Sequence, residues 1–287
     1  MSIVVTGATG FLGNQVIELL LKKLPANEII ASVRNVEKAS GLVDRGVEVR
    51  YGDYLDLDSM KKSFKGASKI LFVSSPDSDN TFRIRQHATV VQAARDAGVK
   101  HIAYTGYAFG EESQIPLATV HMATEYAIRS SDLPYTFLRN ALYTDVFVNP
   151  GIAGSVAAGE VVTNAGNGKL NAVSREDLAK AAATVLLEDG HENKSYNLVN
   201  PQPWTFDELA EILSEVSGKN VVHRSVSYDE AKEYLKNVGL PEPIAELSAG
   251  IYHTIAHGET AKTSNDLTNL IGEPTPLKDL VKRALQG

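Results

Sequence analysis

The sequence predicts an α/β fold: a doubly wound parallel sheet with a smaller C-terminal α/β lobe. Three observations predict it. Short, continuously apolar runs alternate with helical periodicity through the first half of the chain. Strands that are apolar on both faces belong to parallel sheets covered by helices. A glycine-punctuated turn, Gly7-Ala8-Thr9-Gly10-Phe11-Leu12-Gly13, joins the first strand to the first helix. After Pro150 the rhythm changes, with Gly, Ala and Asn clustered through 151–168 and a new set of short elements beyond them.

The elements follow in order. Residues 2–6 form a first strand. The next helix carries Leu12, Val16, Ile17, Leu19, Leu20 and Leu24 on one face, and Pro25 stops it. Further strands are expected over 28–34, 47–53, 69–75, 101–106 and 134–140. Helices are expected over 36–45, 58–65, 82–97 and 117–131, with Asn35 and Asp58 as caps. Right-handed crossovers then wind the sheet doubly. A helix over 174–188, with Ser174 as its cap, and a strand over 196–199 follow. From Trp204 a small lobe is expected: a helix over 205–217 opened by a Thr205/Glu208 capping box, a strand over 221–227, and helices through 228–257 broken near Pro241 and Pro243. The expected domains are a nucleotide-binding part over 1–150 and a substrate lobe over 151–287, with part of 172–200 returning to the main sheet.

Composition narrows the chemistry. The 287 residues carry a formal charge of −7 and no cysteine. Disulfides, thiolate catalysis and cysteine-bound metal are therefore excluded, and a reducing cytoplasm is the expected location. The seven histidines are scattered without a metal-ligand spacing, so no metal is expected. No long basic block points to nucleic acid, and no apolar run is long enough for a membrane.

The glycine motif is read as a Rossmann-type dinucleotide turn. Gly7 permits the turn, Gly10 lets backbone N–H groups approach the phosphates, and Gly13 lets the helix sit close to the strand. Thr9, Phe11 and Leu12 complete the segment. At the end of strand two the acid that would favour NAD is missing, and Arg34 stands there instead, with Lys38 one turn on. A guanidinium pairs well with a 2′-phosphate, so NADP(H) is expected; the alternative is a solvated surface arginine. Asp53 and Tyr54 end strand three, where Asp53 serves either the adenine or a turn. Ser74, Ser75 and Pro76 end strand four and Thr105 ends strand five. Strand ends of such a sheet face the ligand crevice.

These segments, together with Leu138-Arg139-Asn140, His121-Met122-Ala123-Thr124-Glu125, the Gly166-Asn167-Gly168-Lys169 turn and Val238-Gly239-Leu240-Pro241, resemble the NmrA-like branch of the atypical short-chain dehydrogenases. Within that branch the likeness is greatest to the NAD(P)H:quinone oxidoreductase type 2 group, and it covers essentially the whole chain. The wider superfamily uses a Tyr-x-x-x-Lys pair, which is absent here: Ala108, Glu111 and Ser130 stand four residues after Tyr104, Tyr107 and Tyr126. In many relatives a lysine stands where His121 does, four residues before Glu125. That spacing puts His121 and Glu125 on one helical face, where they are expected to meet.

The missing pair constrains the reaction. Reducing an isolated ketone creates a basic alkoxide and calls for a positioned acid; reducing a quinone creates a far less basic anion. The expected activity is therefore hydride transfer from NADPH to a quinone-like acceptor without flavin. His121, Asn140 and Tyr143 are the candidate catalytic residues, and Ala141 and Leu142 join Asn140 beside the cofactor. Packing is the alternative role for Tyr143 and Phe147. The competing function is an NADP(H)-sensing regulator with little catalysis; a nucleotide-sugar isomerase is disfavoured. Expected partners are a small quinone-like substrate and, at most, a second copy of the chain.

Overall fold

Seven parallel strands frame the first of two units in the computed structural model, which describes residues 2–113 and 115–286. The chain runs β1 (Ile3–Thr6), α1 (Phe11–Leu21), β2 (Ile29–Val33), α2 (Ser40–Val43), β3 (Glu48–Tyr51), α3 (Leu57–Phe64), β4 (Lys69–Phe72), α4 (Asn80–Asp96), β5 (His101–Tyr107), α5 (Pro116–Arg129) and β6 (Tyr135–Asn140). Then come β7 (Leu142–Tyr143), α6 (Thr144–Phe147), α7 (Ile152–Ala158), β8 (Glu160–Thr163), β9 (Ala172–Val173), α8 (Arg175–Leu187) and β10 (Lys194–Leu198). The last elements are α9 (Phe206–Ser217), β11 (Val222–Ser225), α10 (Tyr228–Asn237), α11 (Glu242–Ala256), α12 (Asp266–Ile271) and α13 (Leu277–Gln286).

The sheet order is β10-β6-β5-β4-β1-β2-β3, with every neighbouring pair parallel. Strands β1, β2, β4 and β5 are buried throughout. That is why they read as largely apolar runs rather than as alternating ones. The order reverses between β1 and β4, the switch point at which such sheets bind ligands beyond their carboxyl ends. Phe64, Phe72, Tyr104 and Phe137 fill the core on one side of the sheet.

The first unit comprises the chain up to Ala141, Arg175–Leu198 and Asp266–Gly272. The boundary therefore falls after Ala141 in place of residue 150, and the chain re-enters the first unit twice. β10 extends the sheet beside β6, and the Asp266 carboxylate accepts from the Asn197 N–H at 2.7 Å, fixing α12 to that edge strand. The second unit holds Leu142–Ser174, Val199–Asn265 and the tail from Glu273. Its core packs Trp204, Phe206, Leu209 and Leu213 with Ile152 and Ile255. The Thr205/Glu208 capping box opens α9, and a second box, Ser227/Glu230, opens α10.

Several local expectations change. The helix over 36–45 is a 3₁₀ turn followed by the single turn α2. Asn35 Oδ1 accepts from the Glu37 and Lys38 N–H groups, which favours the tighter turn. Asp56, not Asp58, caps α3 by accepting from the Asp58 and Ser59 N–H groups. α4 starts two residues early because Asp79 caps it. Among the described residues, no helix is long and apolar enough to cross a membrane, and no His/Cys/Asp/Glu group is arranged to hold a metal.

Candidate functional site at the carboxyl edge of the first unit

The glycine turn sits at the switch point, where β1 hands over to α1. Gly7 adopts φ +60°, a left-handed conformation in which an L side chain is strained. Its carbonyl accepts from the Gly10 N–H at 2.9 Å. A Cβ on Gly13 would lie 2.4 Å from that same carbonyl oxygen, so only glycine lets α1 approach so closely. α1 has neither a side-chain cap nor an acidic residue in its first turn. Its first N–H groups and the positive end of its dipole are thus left for an anion. Thr9 and Phe11 are exposed, and the Arg175 guanidinium stacks 4.4 Å from the centre of the Phe11 ring. The Leu12 side chain is buried in the core, which leaves only its backbone for a ligand.

Directly after β2, Arg34 is exposed, and its guanidinium makes no hydrogen bond or ion pair among the described residues. Lys38 is exposed as well. At the end of β3, Asp53 Oδ1 accepts from the Leu55 N–H at 2.9 Å, the turn role considered for it. The Tyr54 hydroxyl donates to the Val73 carbonyl at 2.6 Å and contacts Thr6 Oγ1 at 2.5 Å. Burial pushes this phenol above its usual range. Tyr54 therefore braces the exit of β4 with its hydroxyl.

Past Phe72 the backbone turns to side chains. The Val73 N–H donates to Thr6 Oγ1, that of Ser74 to Thr105 Oγ1 and that of Ser75 to His87 Nε2, at 3.0, 2.9 and 2.9 Å. This is why β4 ends three residues before its expected end at Ser75. Pro76 is exposed.

β5 and α5 bring Tyr104 and His121 together. The Tyr104 hydroxyl lies 2.7 Å from His121 Nδ1, and both groups are buried. Burial, reinforced by Arg83 and His87, pulls His121 down to about 3, and burial likewise lifts Tyr104 far above the normal phenol range. Both are neutral at physiological pH. His121 does not meet Glu125. That carboxylate forms a two-pronged pair with Arg139 of β6, at 2.9 and 2.7 Å, and Glu111 adds a third contact at 2.8 Å. A guanidinium with two fixed donors outcompetes a neutral imidazole for a buried carboxylate.

Asn140 ends β6, and its backbone carbonyl accepts from the Ala108 N–H at 2.9 Å. Its side chain is nearly buried. Ala141 is buried and donates to the Leu198 carbonyl at 3.1 Å. Leu142 and Tyr143 open the second unit instead, as β7 paired with β9. Phe147 packs edge-on to Trp204 and Phe206. Thr9 and Gly10 follow β1, Arg34 follows β2, Asp53 follows β3 and Ser74, Ser75 and Pro76 follow β4; Phe11 and Gly13 lie in α1, Thr105 lies within β5, Asn140 ends β6 and His121 is on α5. His87 and Arg83, both buried on α4, were not anticipated. Only their polarity within a helix that packs on a sheet hinted at them.

The turn at Gly7, the α1 N-terminus without a side-chain cap and the exposed Arg34 fit a phosphorylated dinucleotide. A model of the NmrA-like family matches residues 1–270. The chain belongs to the NmrA-like family. Among solved structures, the NADP(H) complex of Citrobacter sp. triphenylmethane reductase is 67% identical, covers 99% of this chain and 100% of that one, and superposes with a TM-score of 0.98. Quinone oxidoreductase 2 of Escherichia coli K12 is 39% identical over 95% of this chain and 94% of its own length. Its NADPH complex superposes with a TM-score of 0.91, covering 99% of each chain. The NAD(P)H azoreductase of Xenophilus azovorans is 27% identical over 95% of this chain and 93% of its own length.

Proposed function

We propose that this NmrA-like oxidoreductase passes hydride from NADPH to a conjugated electrophile, a quinone or a triphenylmethane dye, and uses no flavin. One observation carries the reading. Tyr104 of β5 and His121 of α5, 2.7 Å apart at their polar atoms, are buried and held neutral. Neither is poised to give up a proton near pH 7. Acceptors that tolerate this are those whose reduction leaves a weak base or merely discharges a cation. A quinone gives a hydroquinone anion, and a triarylmethyl cation gives a neutral hydrocarbon. The relatives named for quinone and dye reduction fall in this chemical group, and at 67% identity the dye reductase argues for a cationic acceptor alongside the quinone.

Bound NADPH supplies the hydride. The chain's own residues bind and orient. Gly7 and Gly10 shape the turn, and Thr9, Phe11, Leu12 and Gly13 offer backbone N–H groups to the diphosphate. Arg34 pairs with the 2′-phosphate, and Asp53 with its neighbouring amides faces the adenine. Ser74, Ser75, Pro76, Thr105 and Ala141 line the stretch towards the nicotinamide. Asn140 presents an amide that both donates and accepts. His121 acts as a neutral hydrogen-bonding group tied to Tyr104 rather than as an acid.

The test is NADPH consumption by flavin-free protein with menadione, and bleaching of a triphenylmethane dye in a parallel reaction. Turnover with at least one acceptor is expected, falling about tenfold or more in Asn140→Ala. Tight NADPH binding with no turnover of either acceptor would contradict hydride transfer and favour a cofactor-sensing protein.

A further inference from the structure

The turn that leaves β4 is held by side chains from four separate elements. Thr6 ends β1, Tyr54 follows β3 and Thr105 lies in the carboxyl-terminal half of β5. The fourth, His87, reaches in from α4 and accepts the Ser75 N–H at 2.9 Å. Its imidazole is only 1% exposed, with the Phe72 ring edge-on at 5.0 Å and the Tyr104 ring at 5.9 Å. The hydrogen bonds fix its tautomer. A backbone N–H can only donate, so Nε2 bears the lone pair. Nδ1 must then carry the proton and give it to Thr124 Oγ1 at 2.7 Å, while Thr124 donates its own proton to the Val120 carbonyl at 2.8 Å. An unbroken chain of donors thus runs from the Ser75 peptide through His87 and Thr124 to the Val120 carbonyl of α5.

We propose that His87 is a positioning residue of the NADP(H) site: carrying its proton on Nδ1, it accepts the Ser75 N–H and holds the 73–76 turn in the form that receives the cofactor. An apolar side chain of similar size would fill the space but strand a buried N–H, and the turn would move to find another partner. The turn follows β4 at the switch point, where displaced backbone is felt by the ligand. His87 itself touches no reacting atom. The inference rests on the cofactor site alone and not on the identity of the acceptor.

Two measurements test it. The first is a long-range proton–nitrogen correlation spectrum of the unsubstituted protein, which is expected to show His87 protonated on Nδ1 and bare on Nε2. A proton on Nε2 would overturn the proposal. The second is NADPH titration by calorimetry. His87→Leu is expected to bind about tenfold more weakly or worse. His87→Gln, whose Oε1 can accept the same N–H, is expected to stay within about threefold of the unsubstituted protein. With either acceptor, the KM for NADPH should rise in His87→Leu while kcat at saturating NADPH changes much less. A folded His87→Leu with undiminished affinity, or equal losses in the Leu and Gln variants, would overturn the proposal. Should His87→Leu not fold, the Leu arm passes to Thr124→Val, which frees the ring to adopt the other tautomer and is expected to weaken NADPH binding; unchanged affinity there would overturn it. No NADPH binding by the unsubstituted protein would instead remove the cofactor site itself.

Discussion

The two edges of the seven-stranded sheet put buried polar side chains to opposite uses. At the amino edge they close the protein onto itself. Lys69, at the start of β4, donates to the carbonyls of Leu186 and Glu188 at 3.0 Å each, capping the end of α8. Thr136 donates to the His191 carbonyl at 2.6 Å, so His101 must donate from Nε2 to Thr136 Oγ1 at 2.8 Å. His191 Nδ1 in turn contacts the Tyr196 hydroxyl at 2.8 Å. At the carboxyl edge, Thr6, Tyr54, Thr105 and His87 also bind backbone, but they fix turns rather than seal helix ends. There, among the described residues, the first N–H groups of α1 have no side-chain cap and the Arg34 guanidinium no hydrogen-bond or ion-pair partner. Buried polarity alone therefore does not mark a functional edge; polarity left over for a ligand does.

The largest expected effect treats both edges alike. Burial holds His87 and His121 at about 3 and His101 at about 4, below the ordinary 6.5. Below 6.5 the unfolded chain binds protons that the folded chain refuses. The stability these groups contribute is therefore complete above 6.5 and is lost as pH falls through their folded values. Thermal melting followed over this range should show a steady drop in Tm on acidification. A flat profile would mean that these imidazoles are not buried as described.

The remaining predictions separate the edges. Gly13→Ala drives a methyl against the Gly7 carbonyl, so NADPH binding should become undetectable by calorimetry, with about 1–3 kcal/mol of stability lost. Arg34→Ala should weaken NADPH by about ten- to a hundredfold relative to NADH while stability stays within about 0.5 kcal/mol. Equal losses for both cofactors would detach Arg34 from the 2′-phosphate. Lys69→Met leaves two helix-end carbonyls unpaired and should cost about 1–3 kcal/mol in denaturant unfolding, with NADPH affinity unchanged. Weaker cofactor binding in that variant would break the distinction between the edges.

Much of the first unit was legible because parallel strands buried on both faces announce themselves, and because only glycine serves at positions 7 and 13. What escaped the sequence was non-local. Helical spacing put His121 and Glu125 on one face but could not reveal that Arg139 arrives from β6 to take the carboxylate. Reading apolar runs placed the end of β4 at Ser75, because nothing local shows that Thr6, Thr105 and His87 claim the next three N–H groups. The return of Asp266–Gly272 to the first unit depends on a partner far away in sequence, Asn197.

Whether the protein itself supplies a proton during hydride transfer is best decided by single-turnover oxidation of bound NADPH by menadione between about pH 5.5 and 8.5. With His121 and Tyr104 buried and neutral across that range, the rate should stay constant within about twofold. A step with a midpoint near neutrality that disappears in His121→Phe would show that His121 donates the proton, and the proposed acid-free transfer would fall.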